Sequence, residues 1–109
     1  IAKGAKLDAT DNNGRTALMN AAIEGKLGCL ELLIAKGAKL DATDKNGMTA
    51  LMMAATVGNL DCLEYLIAKG AKVNAAMKAK WTALHAAAFN GHAPCVEALL
   101  KAGADARLK

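Results

Sequence analysis

The chain contains no serine, which excludes a serine nucleophile and every Ser–His–Asp arrangement. Aromatic residues are nearly missing as well: one Trp, one Tyr and one Phe make up 3% of the 109 residues. The 54% hydrophobic content must therefore come from Ala, Leu, Met and Ile, residues that favour close-packed helices over sheets. A single proline leaves those helices little interrupted. No apolar run reaches the length of a membrane span, and no secretory leader is evident. A strong excess of one charge is also lacking. The net charge is +4, with nine basic and eight acidic groups over residues 1–75 and five basic and two acidic groups over 76–109. So mild a balance suits a soluble protein and marks neither a nucleic-acid binder nor a membrane binder.

The three cysteines, Cys29, Cys62 and Cys95, are evenly spaced along the chain. Even spacing of this kind predicts an equivalent, buried core position rather than a disulfide framework. It places the chain in a reducing setting, intracellular and cytoplasmic.

The same period governs the whole chain. Gly4, Gly37, Gly70 and Gly103 recur at the interval of the cysteines, and "IAKGAK" occurs at 1–6, 34–39 and 67–72. Residues 11–43 and 44–76 align without a gap and share 22 of 33 positions. Residues 77–109 keep the frame with more drift, and 1–10 read as the tail of a preceding unit. One domain spanning 1–109 is expected, built as a linear array.

Each unit reads as a turn followed by two helices. "DNNGRTAL" and "DKNGMTAL" open with residues that tolerate a tight turn. Thr16, Thr49 and Thr82 stand where a helix N-cap belongs. Short Ala-rich helices follow and end at Gly25 and Gly58. A second helix has apolar residues three and four apart, as in Leu27, Leu30, Leu33 and Ile34. It closes at Gly37, Gly70 or Gly103 with the chain in a left-handed turn. Pro94 falls in the opening turn of the last helix, where a missing amide hydrogen costs little.

A unit of this length and order, with "TAL" opening the first helix, resembles the ankyrin repeat. The matching residues are Gly14, Thr16, Ala17, Leu18, Ala21, Ala22, Gly25, Leu27, Glu31, Leu33, Gly37 and Ala38, with equivalents one period on. "WTALHAAAFNGH" at 81–92 is the stretch most similar to the family pattern. The resemblance implies an all-α fold, an α-solenoid of helix pairs with projecting β-turn fingers. It also marks departures. Met19 and Met52 replace the histidine kept at His85, so those two units are expected to lose a polar tie. Met77 and Lys80 replace the finger's Asp and Gly, predicting a less regular turn. Lys6, Lys39 and Lys72 stand where the family usually has Asp. Asn74 is similar to an asparagine that intracellular hydroxylases modify in such proteins, although Lys72 replaces the acidic residue two positions before it. Hydrogen bonding of the turn is its expected role.

Catalysis finds little support. His92 and Cys95 lie three apart on one helix, but a zinc site normally takes four Cys/His ligands and no second pair exists. Glu31, Glu64 and Glu97 recur at one position, as a solvated face does. The glycines mark the repeat and form no phosphate-cradling loop. No enzyme, no metal and no cofactor are expected.

Binding remains. Stacked repeats build an extended concave surface, and the resemblance implies that finger tips and first-helix faces hold partners. The two most similar units differ in their fingers and first helices at Asn12/Lys45, Arg15/Met48, Asn20/Met53, Ile23/Thr56 and Glu24/Val57. Asn20/Met53 reads equally well as a packing change. Trp81 falls at the position of Arg15 and Met48, and Phe89 at that of Ile23 and Thr56. The expected site is an apolar strip of Ile23, Met48, Thr56, Val57, Trp81 and Phe89, with Glu24, and with Arg15, Lys45, Lys78 and Asn90 at its rim. Aromatic anchors with a basic rim suit a protein or peptide partner. Two alternatives are a structural spacer in a larger protein and an electrostatic binder of an acidic or nucleic-acid partner. The last would weaken steeply with salt. No polar capping repeat ends the array, so end-to-end self-association is also expected.

Overall fold

The computed structural model describes residues 9–77 and 80–104. Among these residues, six helices follow one another: α1 (Ala17–Glu24), α2 (Leu27–Ala35), α3 (Ala50–Val57), α4 (Leu60–Ala68), α5 (Ala83–Phe89) and α6 (Ala93–Lys101). They form three pairs whose first helices start at Ala17, Ala50 and Ala83, in step with the sequence repeat. Helix α3 packs between α1 and α5, and α4 lies between α2 and α6. The stack is elongated, 43 × 25 × 20 Å, because each pair touches only its neighbours. It is a helix-pair solenoid.

The capping chemistry is local and repeats with the sequence. The hydroxyl of each threonine N-cap accepts the amide hydrogen three residues on, at 3.3 Å for Met19 and Met52 and 3.4 Å for His85. Each second helix ends in a Schellman turn. In α2, Gly37 N–H donates to Ile34 O and Ala38 N–H to Leu33 O, both at 3.0 Å. The same pair recurs at Gly70 and Ala71 after α4, and at Gly103 and Ala104 after α6. In its copies at 34–39 and 67–72 the hexapeptide is therefore a helix terminator; the copy at 1–6, with Lys6, lies outside the described residues. Pro94 lies in the first turn of α6.

The structure corrects two expectations. Cys62 and Cys95 are 1% exposed, but Cys29 is exposed. Its position is covered by the preceding helix pair in the later repeats, and no described residue covers it in the first. The polar tie is not lost at Met19, since Thr16 N–H donates to Met19 Sδ at 3.4 Å. The same amide of Thr82 donates to His85 Nδ1 at 2.9 Å, a shorter and stronger bond.

Burial also pushes the Cys62 and Cys95 thiols up, with Asp61 and Glu64 respectively adding to the effect. The folded chain thus keeps two protons that the unfolded chain releases above about pH 8.5. Stability is expected to be undiminished below that pH and to fall as pH rises through it. A Cys62→Ala, Cys95→Ala variant should flatten this alkaline slope in urea titrations. In native protein, a thiol reagent should modify Cys29 rapidly and the other two only on unfolding.

Candidate functional site

The fingers are built on an aspartate. Asp11 Oδ1 accepts the amide hydrogens of Asn13 and Arg15, at 2.9 and 3.0 Å. Asp44 Oδ1 accepts those of Asn46 and Met48, both at 2.9 Å. The two amides hold the Asp11 carboxyl below the usual carboxylate range, the bond from Arg15 contributing most. Neighbouring fingers are joined where Lys45 N–H donates to Asn13 O at 3.1 Å.

The third finger lacks this aspartate and still keeps its backbone bonds. Lys80 N–H donates to Met77 O at 3.1 Å, and Met77 N–H to Trp81 O at 2.8 Å. Its irregularity lies elsewhere: Lys80 takes the glycine position with φ 61°, a region costly for a side chain. Lys80→Gly is expected to stabilise the protein by about 1 kcal/mol. Adding Met77→Asp should restore the paired amide bonds. Urea unfolding measures both steps, and a Lys80→Gly variant with lower stability would refute the strain.

Above the fingers, five of the expected residues meet. Arg15, Ile23, Met48, Thr56 and Val57, together with Met53, line one groove of about 240 Å³ between the first and second repeats. Arg15 comes from the first finger and Met48 from the second, while Ile23, Thr56 and Val57 come from the ends of α1 and α3. Val57 is 41% exposed. The Thr56 hydroxyl donates to Met52 O at 2.8 Å, so its methyl group is what the helix leaves for contact. Arg15 Nε lies 4.0 Å from Asp44 Oδ2, whose side chain is 1% exposed. That distance is a charge contact rather than a hydrogen bond, and Nε makes no hydrogen bond.

The aromatic residues extend the site along α5. Trp81 is half-buried and stacks on His85, with ring centroids 5.2 Å apart and planes at 22°. Phe89 meets the same indole edge-on at 5.9 Å and 72°, yet remains 80% exposed. The two rings form one aromatic patch outside the core rather than a lone exposed side chain. Asn90 is exposed, and its amide donates to Ala86 O at 2.8 Å, closing α5. Lys45 is exposed on the second finger. Lys78 lies outside the described residues.

Glu24 does not join this group. It borders a separate depression with Asn20 and Cys29 at the first-repeat end of the stack. Asn20 is exposed there, whereas its equivalent Met53 is 2% exposed. That difference is packing. Tyr65 is half-buried, with the Lys69 ammonium 5.4 Å from its ring centroid.

Sequence reasoning missed the ties between repeats. Asn59 Nδ2 donates to Ala22 O and Ile23 O, at 2.7 and 3.0 Å. One repeat on, His92 Nε2 lies 3.1 Å from Thr56 O and donates to it. Asp41 Oδ1 accepts the amide hydrogen of Lys72 at 2.9 Å, and Asn74 Nδ2 donates to Gly103 O at 3.3 Å. A polar residue at 59 and 92 before each second helix was the available signal. Among the described residues, no three His, Cys, Asp or Glu side chains are grouped to hold a metal ion. No described helix is long and apolar enough to cross a membrane.

Paired helices stacked in register, with hydrogen-bonded fingers beside a shallow groove, define a repeat solenoid, a fold that presents an extended surface. The family model for ankyrin repeats, three copies long, matches residues 1–77 and again 37–109, so the chain belongs to the ankyrin-repeat family. Proteins of this family generally serve as protein–protein interaction modules and are typically non-catalytic. No curated protein matches the chain as a relative.

Proposed function

We propose that the chain is a non-catalytic binding module that holds a protein or peptide partner in its concave groove. One observation carries this reading: five residues singled out by comparing the repeats line a single groove. Its walls are apolar, through Ile23, Met48, Met53 and Val57, and Arg15 stands at its edge. Phe89 and Trp81 occupy the corresponding places one repeat further on. A partner that inserts apolar side chains along this line, with acidic groups towards Arg15 and Lys45, matches both features.

The test is selection of binders from a peptide library, followed by a Trp81→Ala, Phe89→Ala double variant and a separate Met48→Glu variant. Each is expected to lose at least tenfold in affinity for groove binders, as truncation of central anchors does. Unchanged binding by both variants would refute the groove. A steep loss with salt that is indifferent to peptide sequence would replace it with electrostatic binding.

A further inference from the structure

Two rows of residues run along the stack at the period of the repeat. Arg15, Met48 and Trp81 hold one position at the base of the three fingers. Ile23, Thr56 and Phe89 hold another, at or near the ends of α1, α3 and α5. Ile23 and Thr56 stay half-buried although a repeat follows each of them. Access at this position therefore does not depend on where the chain ends.

The rows frame two successive joints with unlike contents. Between the first and second repeats lies the groove of about 240 Å³, walled by Ile23, Met53 and Val57. The next joint is bordered by Met48 and Thr56 on one side and by Trp81 and Phe89 on the other. There Trp81 stacks on His85 and meets Phe89 edge-on, with ring centroids 5.2 and 5.9 Å apart. One joint offers a recess and the other an aromatic face, with Met48 and Thr56 as the ridge between them.

The step between the joints selects the backbone of an occupant. Packed helices lie about 8–10 Å apart, and α3 packs against both α1 and α5. A β-strand returns a side chain to the same face after two residues, or about 6.6–6.8 Å, and its third residue points away. An α-helix returns after seven residues, at about 10.5 Å, but its residues three and four along share that face and meet the ridge. A polyproline II chain has three residues per turn, so its side chains reach one face every ~9.3 Å with none between.

We infer, on the footing of the binding reading above, that the occupant is a polyproline II peptide with apolar side chains three residues apart. One enters the groove of the first joint, and the next lies against Trp81 and Phe89. The two intervening residues face the flanks, one of them towards the fingers. Arg15, 38% exposed, and the exposed Lys45 and Lys80 stand on that side, so an acidic residue is favoured there. Proline at the other intervening place sets the backbone before binding and lowers the cost of ordering.

Fluorescence anisotropy with synthetic peptides tests this. Each peptide holds two leucines with a glutamate between them in a proline frame, the leucines two, three or four residues apart. A further peptide carries them seven apart in an alanine-rich helical frame. The spacing of three is expected to bind at least tenfold tighter than two or four. Replacing one of its leucines by alanine should cost about tenfold with the wild type and little with the Trp81→Ala, Phe89→Ala variant. Replacing the other should cost the same with both. Far-UV circular dichroism checks that the variant folds, and Phe89→Ala alone, at an exposed position, should remove part of the same difference. Peptides that lose affinity with Met48→Glu but show no preference for three overturn the inference and leave the groove reading standing. Equal binding by the wild type, the double variant and Met48→Glu overturns both. Tighter binding of the helical peptide assigns a helical partner and overturns the inference alone. No binding of the three-spaced peptide at millimolar concentration has the same force.

Discussion

Leu63→Ala is expected to destabilise the protein by about 3–4 kcal/mol, a large share of a small domain's stability. Leu63 is 0% exposed in α4, the second helix of the middle repeat. Truncation removes its transfer energy and leaves a cavity that two flanking repeats hold open. The position matters because stability in a solenoid is carried through neighbours. Losing the middle pair uncouples the first from the third, whereas damage at an end frays one side. Urea unfolding followed by circular dichroism should show a lower midpoint and a shallower transition. Leu32→Ala, at a site 45% exposed, is the control and should cost less than about 1 kcal/mol. Equal costs at the two sites would refute this account.

Gly58→Ala should cost about 3 kcal/mol, from two separable causes. Gly58 ends α3 with φ 78°, where an L side chain costs about 1–2 kcal/mol. A Cβ there would also lie 2.6 Å from His92 Nδ1. The imidazole must move, and Thr56 O loses its partner from the third repeat. The decisive measurement is a double-mutant cycle with His92→Ala. In that background the cost of Gly58→Ala should fall to its backbone part alone. Full additivity would show that the ring and the glycine do not interact.

Much of the fold was legible because its instructions are local. Thr16, Thr49 and Thr82 cap the helices that follow them within three residues. Gly37 and Gly70 terminate helices by donating to carbonyls three residues back, and Ala38 and Ala71 by donating to carbonyls five back. Such signals survive in any unit and repeat with the period. The errors concern what lies one repeat away. Cys29 and Cys62 have closely similar local surroundings in sequence, but only Cys62 has a helix pair packed over it. Glu24 and Val57 are equivalent by period, yet Val57 meets the groove and Glu24 the end of the stack. Asn59 finds its acceptors 36 and 37 residues back. No window the length of one helix contains that information. The groove residues were found by another route, since comparing two near-copies exposes positions where packing does not fix the side chain.

The burial of α3 has a consequence for how this protein can change. Six consecutive residues, Ala50 to Ala55, are buried, sealed between the helices on either side. Their amides should exchange with solvent only when the whole stack opens, which makes this helix the slowest clock in the molecule. Within that run Met53 alone lines the groove. The exposed or half-buried positions of the middle repeat that border it lie outside the run, at Lys45 and Met48 before it and at Thr56 and Val57 after it.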